Sequence, residues 1–488
     1  MAARKLVLTY VDSLRTDMLE RAVGEGRAPT FGALLERGVL IPDCVSSFPS
    51  VTPVACAELV TGAGADQHWI SGMNWFHRLE QRYVEYGSSL DATRTVGVFR
   101  ALYDLVYNMN LAHLNPQVET LFERLDDAGL RTACTPFLIY RGRHRHQVSL
   151  DGLLRRAVDT TRLKFRHHTW GPAELFYGEL YASREVPCKP SSIPGSRDGY
   201  SACCAAELER GGNYDFLLFS LPDNDNYSHR FGPEASVESI AKADHCFAKL
   251  VEAGGGLDRF LDEHALILVA DHAQTPVSRG LPLAELLARE WTVLAPSDDK
   301  PELAQLAVSP TGRAAHIYLL PGEGERADPD DVRQRLGETE GVDLICWREG
   351  ETAVVQRRGE QLRFERGDQV ADLRRRRWNV VGDQSVLDGT IEDRTFLSDE
   401  YPDALARVFA AVNAPQAGDF ILSLTDGYEA VDWGGVSHAG GGSHGSLLAG
   451  DSLGPLLFVG CGPADSSERQ QWTLQDVAPV VLEHFGLV

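Results

Sequence analysis

Four short stretches carry side chains whose types and spacing suit chemistry. In PDNDNYSHRFGP, Asp225 and His229 are four residues apart. On a helical turn such a pair shares one face, and a carboxylate beside an imidazole suits a divalent metal such as zinc. A structural hydrogen bond is the plainer use of the same spacing. Asp271 and His272 are adjacent in ALILVADHAQT. Neighbours in a strand point to opposite faces, so this pair alone decides little. Asp12 follows LVLTYV, and His444 sits in GGGSHGS, where glycines permit close backbone approach. Taken jointly, these Asp and His positions at or beside strand ends point to metal binding.

The elements that must position them are short apolar runs: LVLTYV, YDFLLFSL, ALILVA and GPLLFVG. Near-continuous apolar strands are expected where a parallel sheet carries helices on both faces. Open α/β sheets place ligands at the carboxyl ends of their strands. Helices are predicted over 30–37, 116–128 and 236–251. The fold class expected is α/β, a mostly parallel central sheet flanked by helices.

Two segments interrupt this rhythm. Residues 141–210 are polar and rich in His and Arg, and are expected to form a lid or part of a pocket. Their His144, His146, His167 and His168 either contact substrate or face solvent. Residues 312–419 contain a predicted helix at 330–336 followed by VDLICW, TAVVQRR and EQLRFERG. That order reads as a small α+β unit inserted into a core of 1–311 and 420–488. The basic run RRRRW at 374–378 reads as a solvated or salt-bridged surface.

Composition narrows the function classes. The chain has 488 residues, 43% hydrophobic and 24% charged, the profile of a folded globular protein. Its net charge of −23 argues against a broad basic face for a nucleic-acid polymer. A small anionic substrate stays compatible, because a bound metal reverses the local potential. Nine cysteines without a CxxC repeat are expected as buried thiols rather than a disulfide scaffold. The apolar run near the N-terminus stops at Asp12, too soon for a signal peptide. No run of 18 apolar residues suggests a membrane span. A soluble, cytoplasmic protein is therefore expected, with a homo-oligomer left open.

The order of motifs resembles the alkaline phosphatase superfamily, nearest its type I phosphodiesterase and nucleotide pyrophosphatase branch. The matching segments are YVDSLRTDM, SSFPSVTPVACAELVTGAGADQHWISG, DNYSHRFGP, VADH and GSHG. They cover the main unit at both ends of the chain. Neither 141–210 nor 312–419 is explained by them. The resemblance implies two divalent metal ions, Zn²⁺ first and Mn²⁺ as an alternative. One would be held by Asp225, His229 and His444, the other by Asp12, Asp271, His272 and the Thr52 oxygen. Such mixtures of carboxylate oxygen and imidazole nitrogen suit these ions.

Thr52 lies ten residues before Gly62, the family spacing for its nucleophile. The resemblance thus implies hydrolysis of phosphodiester or pyrophosphate bonds through a phospho-threonine intermediate, on a small phosphate-ester substrate. Thr followed by Pro is also a good helix start, so Thr52 is expected to serve as an N-cap as well. His68 is expected in packing or in support of the site. The branch carries an Asn that orients the phosphoryl group where this chain has Met73. Asn74, one residue later, is the candidate for that contact, with a simple turn role as the alternative. His438 either lines the phosphate pocket or lies on a loop surface.

Other chemistries fit the same core. Phosphomonoester or phosphonate hydrolysis is the alternative, the latter because FPSVTP also resembles the phosphonoacetate-hydrolase type. A sulfatase needs Cys or Ser for its formylglycine, which Thr52 does not supply. A non-catalytic binding protein would have lost a ligand or Thr52, and none is missing.

Overall fold

The computed structural model of the chain describes residues 4–147, 168–178, 180–191, 195–298, 300–322, 324 and 326–487. Part of the 141–210 segment, residues 148–167 with His167 included, lies outside the described residues.

The runs of Val, Leu, Ile and Phe form the centre of an eight-stranded sheet. Its order is Val39–Val45, Leu453–Val459, His264–Val269, Lys5–Val11, Phe216–Leu221, Thr132–Cys134, Glu174–Tyr177 and Tyr181–Ala182. The Lys5–Val11 strand pairs in parallel with both Phe216–Leu221 and His264–Val269. Thr132–Cys134 and Glu174–Tyr177 continue the parallel direction on one side. Antiparallel pairings occur towards both edges, through Leu453–Val459 on one side and Tyr181–Ala182 on the other.

Alternation assigns the two faces. Leu6, Leu8 and Tyr10 join the helices Thr52–Thr61, Leu121–Asp127 and Val477–His484 in one buried cluster. Val7 and Val11 pack on the other face against Thr16–Gly24, Pro29–Leu35, Arg197–Arg210 and Val237–Ala253. Both faces are covered, which is why the strands read as continuous apolar runs. The mixed α/β architecture, with a central sheet flanked by helices, is alkaline-phosphatase-like.

A second, nine-stranded sheet takes strands from Leu306–Thr311 through Phe420–Leu424. Leu306–Thr311 and Phe420–Leu424 fall outside the 312–419 limits expected for an insert. One face of this sheet packs on the helices Leu283–Leu287 and Pro329–Gly337. The other face contributes Ala307, Tyr318, Val355 and Ile421 to the same cluster as Leu6 and Leu8, so one contiguous core joins the two sheets. A third, three-stranded sheet of Gly427–Ala430, Thr275–Leu281 and Gly442–Ser443 holds the loop that leads to His444.

The cysteine expectation needs correction. Cys188 and Cys203 form a disulfide across 15 residues, tying the segment before helix Arg197–Arg210 to that helix. Spacing alone hid it, because no repeat marks two cysteines 15 residues apart. Six of the seven free thiols are buried. The basic run is salt-bridged: Arg374 pairs with Asp476, and Arg376 with Asp372 and Asp403. Among the described residues, no helix is long and apolar enough to cross a membrane.

Candidate metal centre

Three parallel strands end at the same edge of the central sheet, and each delivers a carboxylate there. Lys5–Val11 leads to Asp12, His264–Val269 to Asp271 and His272, and Phe216–Leu221 to the helix Asp223–Phe231. That helix carries Asp225 and His229 one turn apart, with His229 Nε2 3.3 Å from Asp225 Oδ1. Its first residue, Asp223, is anchored by reciprocal backbone-to-carboxylate bonds with Asp198.

His444 arrives on the glycine-rich loop. Gly441 passes so close to helix Asp223–Phe231 that a Cβ there would lie 1.9 Å from the His229 carbonyl oxygen. On the far side, the turn between Leu306–Thr311 and Ala314–Leu319 presses on His444. Gly312, at φ +65°, would place a Cβ 2.2 Å from the His444 carbonyl oxygen. Only glycine fits at either contact. The second sheet thus touches the His444 loop directly, and the Arg313 N–H donates to the His444 carbonyl at 2.6 Å.

Each of the three histidines engages a backbone carbonyl through Nδ1. His229 meets Gly442 O at 2.7 Å, His444 meets Ser50 O at 2.8 Å and His272 meets Ala273 O at 3.1 Å. A carbonyl only accepts, so Nδ1 carries the proton and Nε2 is the ring nitrogen turned towards the carboxylates. His444 Nε2 is 3.6 Å from Asp225 Oδ1, and His272 Nε2 is 3.2 Å from Asp271 Oδ2 and 4.0 Å from Asp12 Oδ1. Two sets of ligand atoms, Asp225–His272–His444 and Asp12–Asp271–His272, each gather within 4.8 Å. His272 belongs to both. The His272 and His444 rings stack at 3.7 Å.

Burial sets the electrostatics. Desolvation, with the charges of Asp271 and Asp225, raises Asp12 well above the usual carboxylate range. Desolvation lifts Asp271 to about 6. Asp225 also feels burial, but His229, His444 and His272 outweigh it and hold its carboxyl well below the ordinary value. His229 is the counterpart: burial pulls it down, yet Asp225 raises it to about 9. Desolvation depresses His272 to about 4 and His444 to about 3. Asp12 Oδ1 is buried without any hydrogen-bond partner. Three facing carboxylates, an orphaned oxygen and the neutral His272 and His444 imidazoles presenting lone pairs fit divalent cations of the zinc type.

Thr52 opens the helix Thr52–Thr61 and is its first helical residue, with Val51 at the N-cap. The expected capping role is therefore not taken. Its Oγ1 instead lies 3.3 Å from His272 Nε2. Asn74 begins the strand Asn74–His77 and is fully buried, with neither amide atom hydrogen-bonded. The preceding Met73 N–H reaches Thr311 Oγ1 at 3.3 Å, beside the turn that presses on His444. The His438 ring stacks on His229 at 4.0 Å, and its Nδ1 contacts Glu429 Oε1 at 2.7 Å.

The remaining histidines lie elsewhere. His68 is fully buried, and its Nδ1 accepts from the Ile70 N–H at 3.1 Å. His146 is buried against the Pro172 carbonyl, while His144 sits 3.4 Å from Asp126 and His168 contacts Arg145.

Three supporting residues escaped sequence reasoning. The Tyr10 hydroxyl donates to Asp271 Oδ2 at 2.9 Å. Ser13, held at φ +55°, donates its N–H to Asp271 Oδ1 and its hydroxyl to Asp225 Oδ1. The Gln274 amide donates to Asp225 Oδ1 at 2.6 Å. Their only signal was position, each lying one or two residues from a ligand.

This fold and these ligand clusters define a metal-dependent hydrolase on an alkaline-phosphatase-like scaffold. The chain belongs to the type I phosphodiesterase / nucleotide pyrophosphatase family, whose pattern matches residues 6–447. Among solved structures, it is similar to murine ectonucleotide pyrophosphatase / phosphodiesterase 5. The TM-score is 0.57 at 14% identity, covering 99% of this chain and 96% of that one. It is also similar to phosphonoacetate hydrolase from Sinorhizobium meliloti 1021 in complex with phosphonoformate, with a TM-score of 0.56 at 15% identity and the same coverage. An inactive threonine-to-alanine variant of the murine protein in complex with AMP gives 0.55 at 13% identity, again covering 99% and 96%. No curated protein matches the sequence.

Proposed function

We propose that this protein hydrolyses phosphodiester or pyrophosphate bonds through a covalent phospho-Thr52 intermediate. The observation that carries the reading is Thr52 Oγ1 at the edge of the Asp12–Asp271–His272 cluster, free of a capping role. Asp225, His229 and His444 would hold one divalent ion, and Asp12, Asp271, His272 and the Thr52 oxygen the other. Bound there, two Zn²⁺ or Mn²⁺ ions would lower the pKa of the Thr52 hydroxyl and offset charge on the entering and leaving oxygens.

The chain's own groups do the rest. The Thr52 hydroxyl gives its proton to solvent, Oγ attacks phosphorus, the P–Oγ bond forms and the bond to the leaving oxygen breaks. The leaving alkoxide takes a proton from water. Water then attacks the phosphothreonine, its P–Oγ bond breaks, and the hydroxyl regains its proton. The Thr52 N–H, at the positive end of a ten-residue helix, is assigned to a phosphoryl oxygen. Asn74, with both amide atoms unpaired in a buried position, is assigned to orient the same group. The inactive threonine variant of the murine relative, in complex with AMP, supports a Thr nucleophile acting on nucleotide-type esters.

Replacing Thr52 with Ala tests the mechanism. Turnover of bis-p-nitrophenyl phosphate should fall by at least about a thousandfold, while the zinc stoichiometry stays that of the wild type. Full activity in that variant would sink the covalent route. A second reading, phosphonate hydrolysis, is favoured by the equal likeness to phosphonoacetate hydrolase. Release of phosphate from phosphonoacetate faster than cleavage of the diester would select it.

A further inference from the structure

Glu429 is a buried carboxylate that neither metal set uses. It lies 2% exposed in the strand Gly427–Ala430, the outer strand of the small three-stranded sheet. Oε1 accepts from the Ser443 hydroxyl at 2.7 Å and faces His438 Nδ1 at 2.7 Å. Oε2 accepts from the His438 N–H at 2.6 Å. Both of its partners lead to the same ion's ligands. Ser443 precedes His444 in the chain, and the His438 ring lies flat on His229 at 4.0 Å with 27° between planes. The His229 Nδ1 proton goes to Gly442 O, on the strand that Ser443 completes.

We propose that Glu429 is a positioning residue for one metal ion only, the one assigned to Asp225, His229 and His444. It fixes His444 through Ser443 and the His229 ring through His438. Its negative charge sits behind the His438 ring that stacks on His229, which favours cation binding on that side. Asp271 has its own supports in the Tyr10 hydroxyl and the Ser13 N–H, and neither passes through Glu429, so this brace does not hold the second ion's carboxylates. His438 accordingly acts through His229 rather than on substrate. The proposal rests on the two-metal reading given above.

The test is a Co²⁺ titration of chelator-stripped full-length protein, followed by its visible absorption bands. Wild type is compared with Glu429→Gln, Ser443→Ala and His438→Phe. The last keeps a ring on His229 and removes the bond to Glu429. Glu429→Gln should weaken one of the two binding steps by about 10–100-fold, alter that step's absorption bands and leave the other step at its wild-type midpoint. Ser443→Ala and His438→Phe should each weaken the same step less. Equal midpoints in wild type and Glu429→Gln overturn the proposal, as does equal weakening of both steps. If Glu429→Gln misfolds, as judged by far-UV circular dichroism, the two milder variants decide, and unchanged midpoints in both overturn it. Wild type that binds two Co²⁺ and cleaves diesters while the variants match it defeats this inference alone. Wild type that binds no Co²⁺ defeats the two-metal reading as well.

Discussion

Replacing Asp12 with Asn is expected to stabilise the metal-stripped protein while weakening its hold on metal. Asp12 is 5% exposed with an unpartnered Oδ1, and its ligand atom lies within 4.8 Å of one on Asp271. Two like charges at that separation repel by roughly 3–4 kcal/mol at an effective dielectric of about 20. Without a cation the chain relieves this by protonation, because burial and the two neighbouring carboxylates raise Asp12. That relief has a ceiling. Holding a proton on a carboxyl of unfolded pKa near 3.9 costs at most about 4 kcal/mol at pH 7 and about 1.5 kcal/mol at pH 5. Asn needs no proton but leaves a buried amide incompletely paired, at about 1–3 kcal/mol. At that ceiling the net gain is about 1–3 kcal/mol at pH 7 and close to zero at pH 5.

The sign follows from linkage. A carboxyl whose folded pKa lies above its unfolded one binds more protons in the native state. The Asp12 contribution to the stability of the stripped wild type therefore falls as pH rises from about 4 towards the folded pKa. Asp12→Asn should flatten that slope. With an unfolding entropy of roughly 1 kcal/mol/K for 488 residues, the pH 7 gain is a rise in Tm of roughly 1–3 °C. Thermal melts in excess chelator at pH 5, 6, 7 and 8 measure it, and the order should reverse in saturating zinc. A stripped Asp12→Asn protein that melts below wild type at pH 7, or a difference that does not grow with pH, refutes the reasoning.

Two further outcomes concern the frame. Arg313 and Asp451 form a fully buried pair at 2.6 Å, so Arg313→Met strands a buried carboxylate. It should cost about 3–5 kcal/mol, read as a lower urea midpoint, and an unchanged midpoint would count against the pair. The Cys188–Cys203 disulfide closes a 15-residue separation. The double replacement by Ser should lose about 3 kcal/mol, and reductant should lower the melting point of wild type but not of the variant.

Much of this arrangement was legible in the sequence because apolar runs and strand-end acids leave a local signature. LVLTYV, YDFLLFSL and ALILVA became the three adjacent parallel strands, and the residues after them converge. GPLLFVG is a strand as well, but antiparallel, and run composition does not encode direction. The helix expected at 236–251 appears as Val237–Ala253, whereas 116–128 shortens to Leu121–Asp127. There the capping box of Thr120 and Glu123 fixes the true start. The disulfide, the Thr311–Arg313 turn against His444 and the Glu429 brace depend on tertiary contacts rather than on a repeating local pattern. No periodicity reports such contacts. Ser13 was invisible for another reason: its contacts to Asp271 and Asp225 arise from a left-handed turn, which a serine in sequence does not announce.

The buried carboxylates around the site fall into two kinds, and the difference argues for function. Asp451 is fully engaged: Oδ1 accepts from Thr275 and Arg313, and Oδ2 from the N–H and hydroxyl of Ser446. Glu429 is engaged on both oxygens as well. Such groups specify loop geometry and stabilise it, since each charge is met by fixed donors. Asp12 has the same burial but leaves Oδ1 unmet, next to Asp271 and Asp225. A core selected for stability alone would remove one of those charges or supply an Arg, as it does for Asp451. Instead, the supports that do exist here, Tyr10, Ser13 and Gln274, hold Asp271 and Asp225 in place without neutralising them. Neutral donors fix direction and leave the negative charge available to a cation. The fold therefore keeps a local electrostatic conflict, and binding a divalent ion is the event that resolves it.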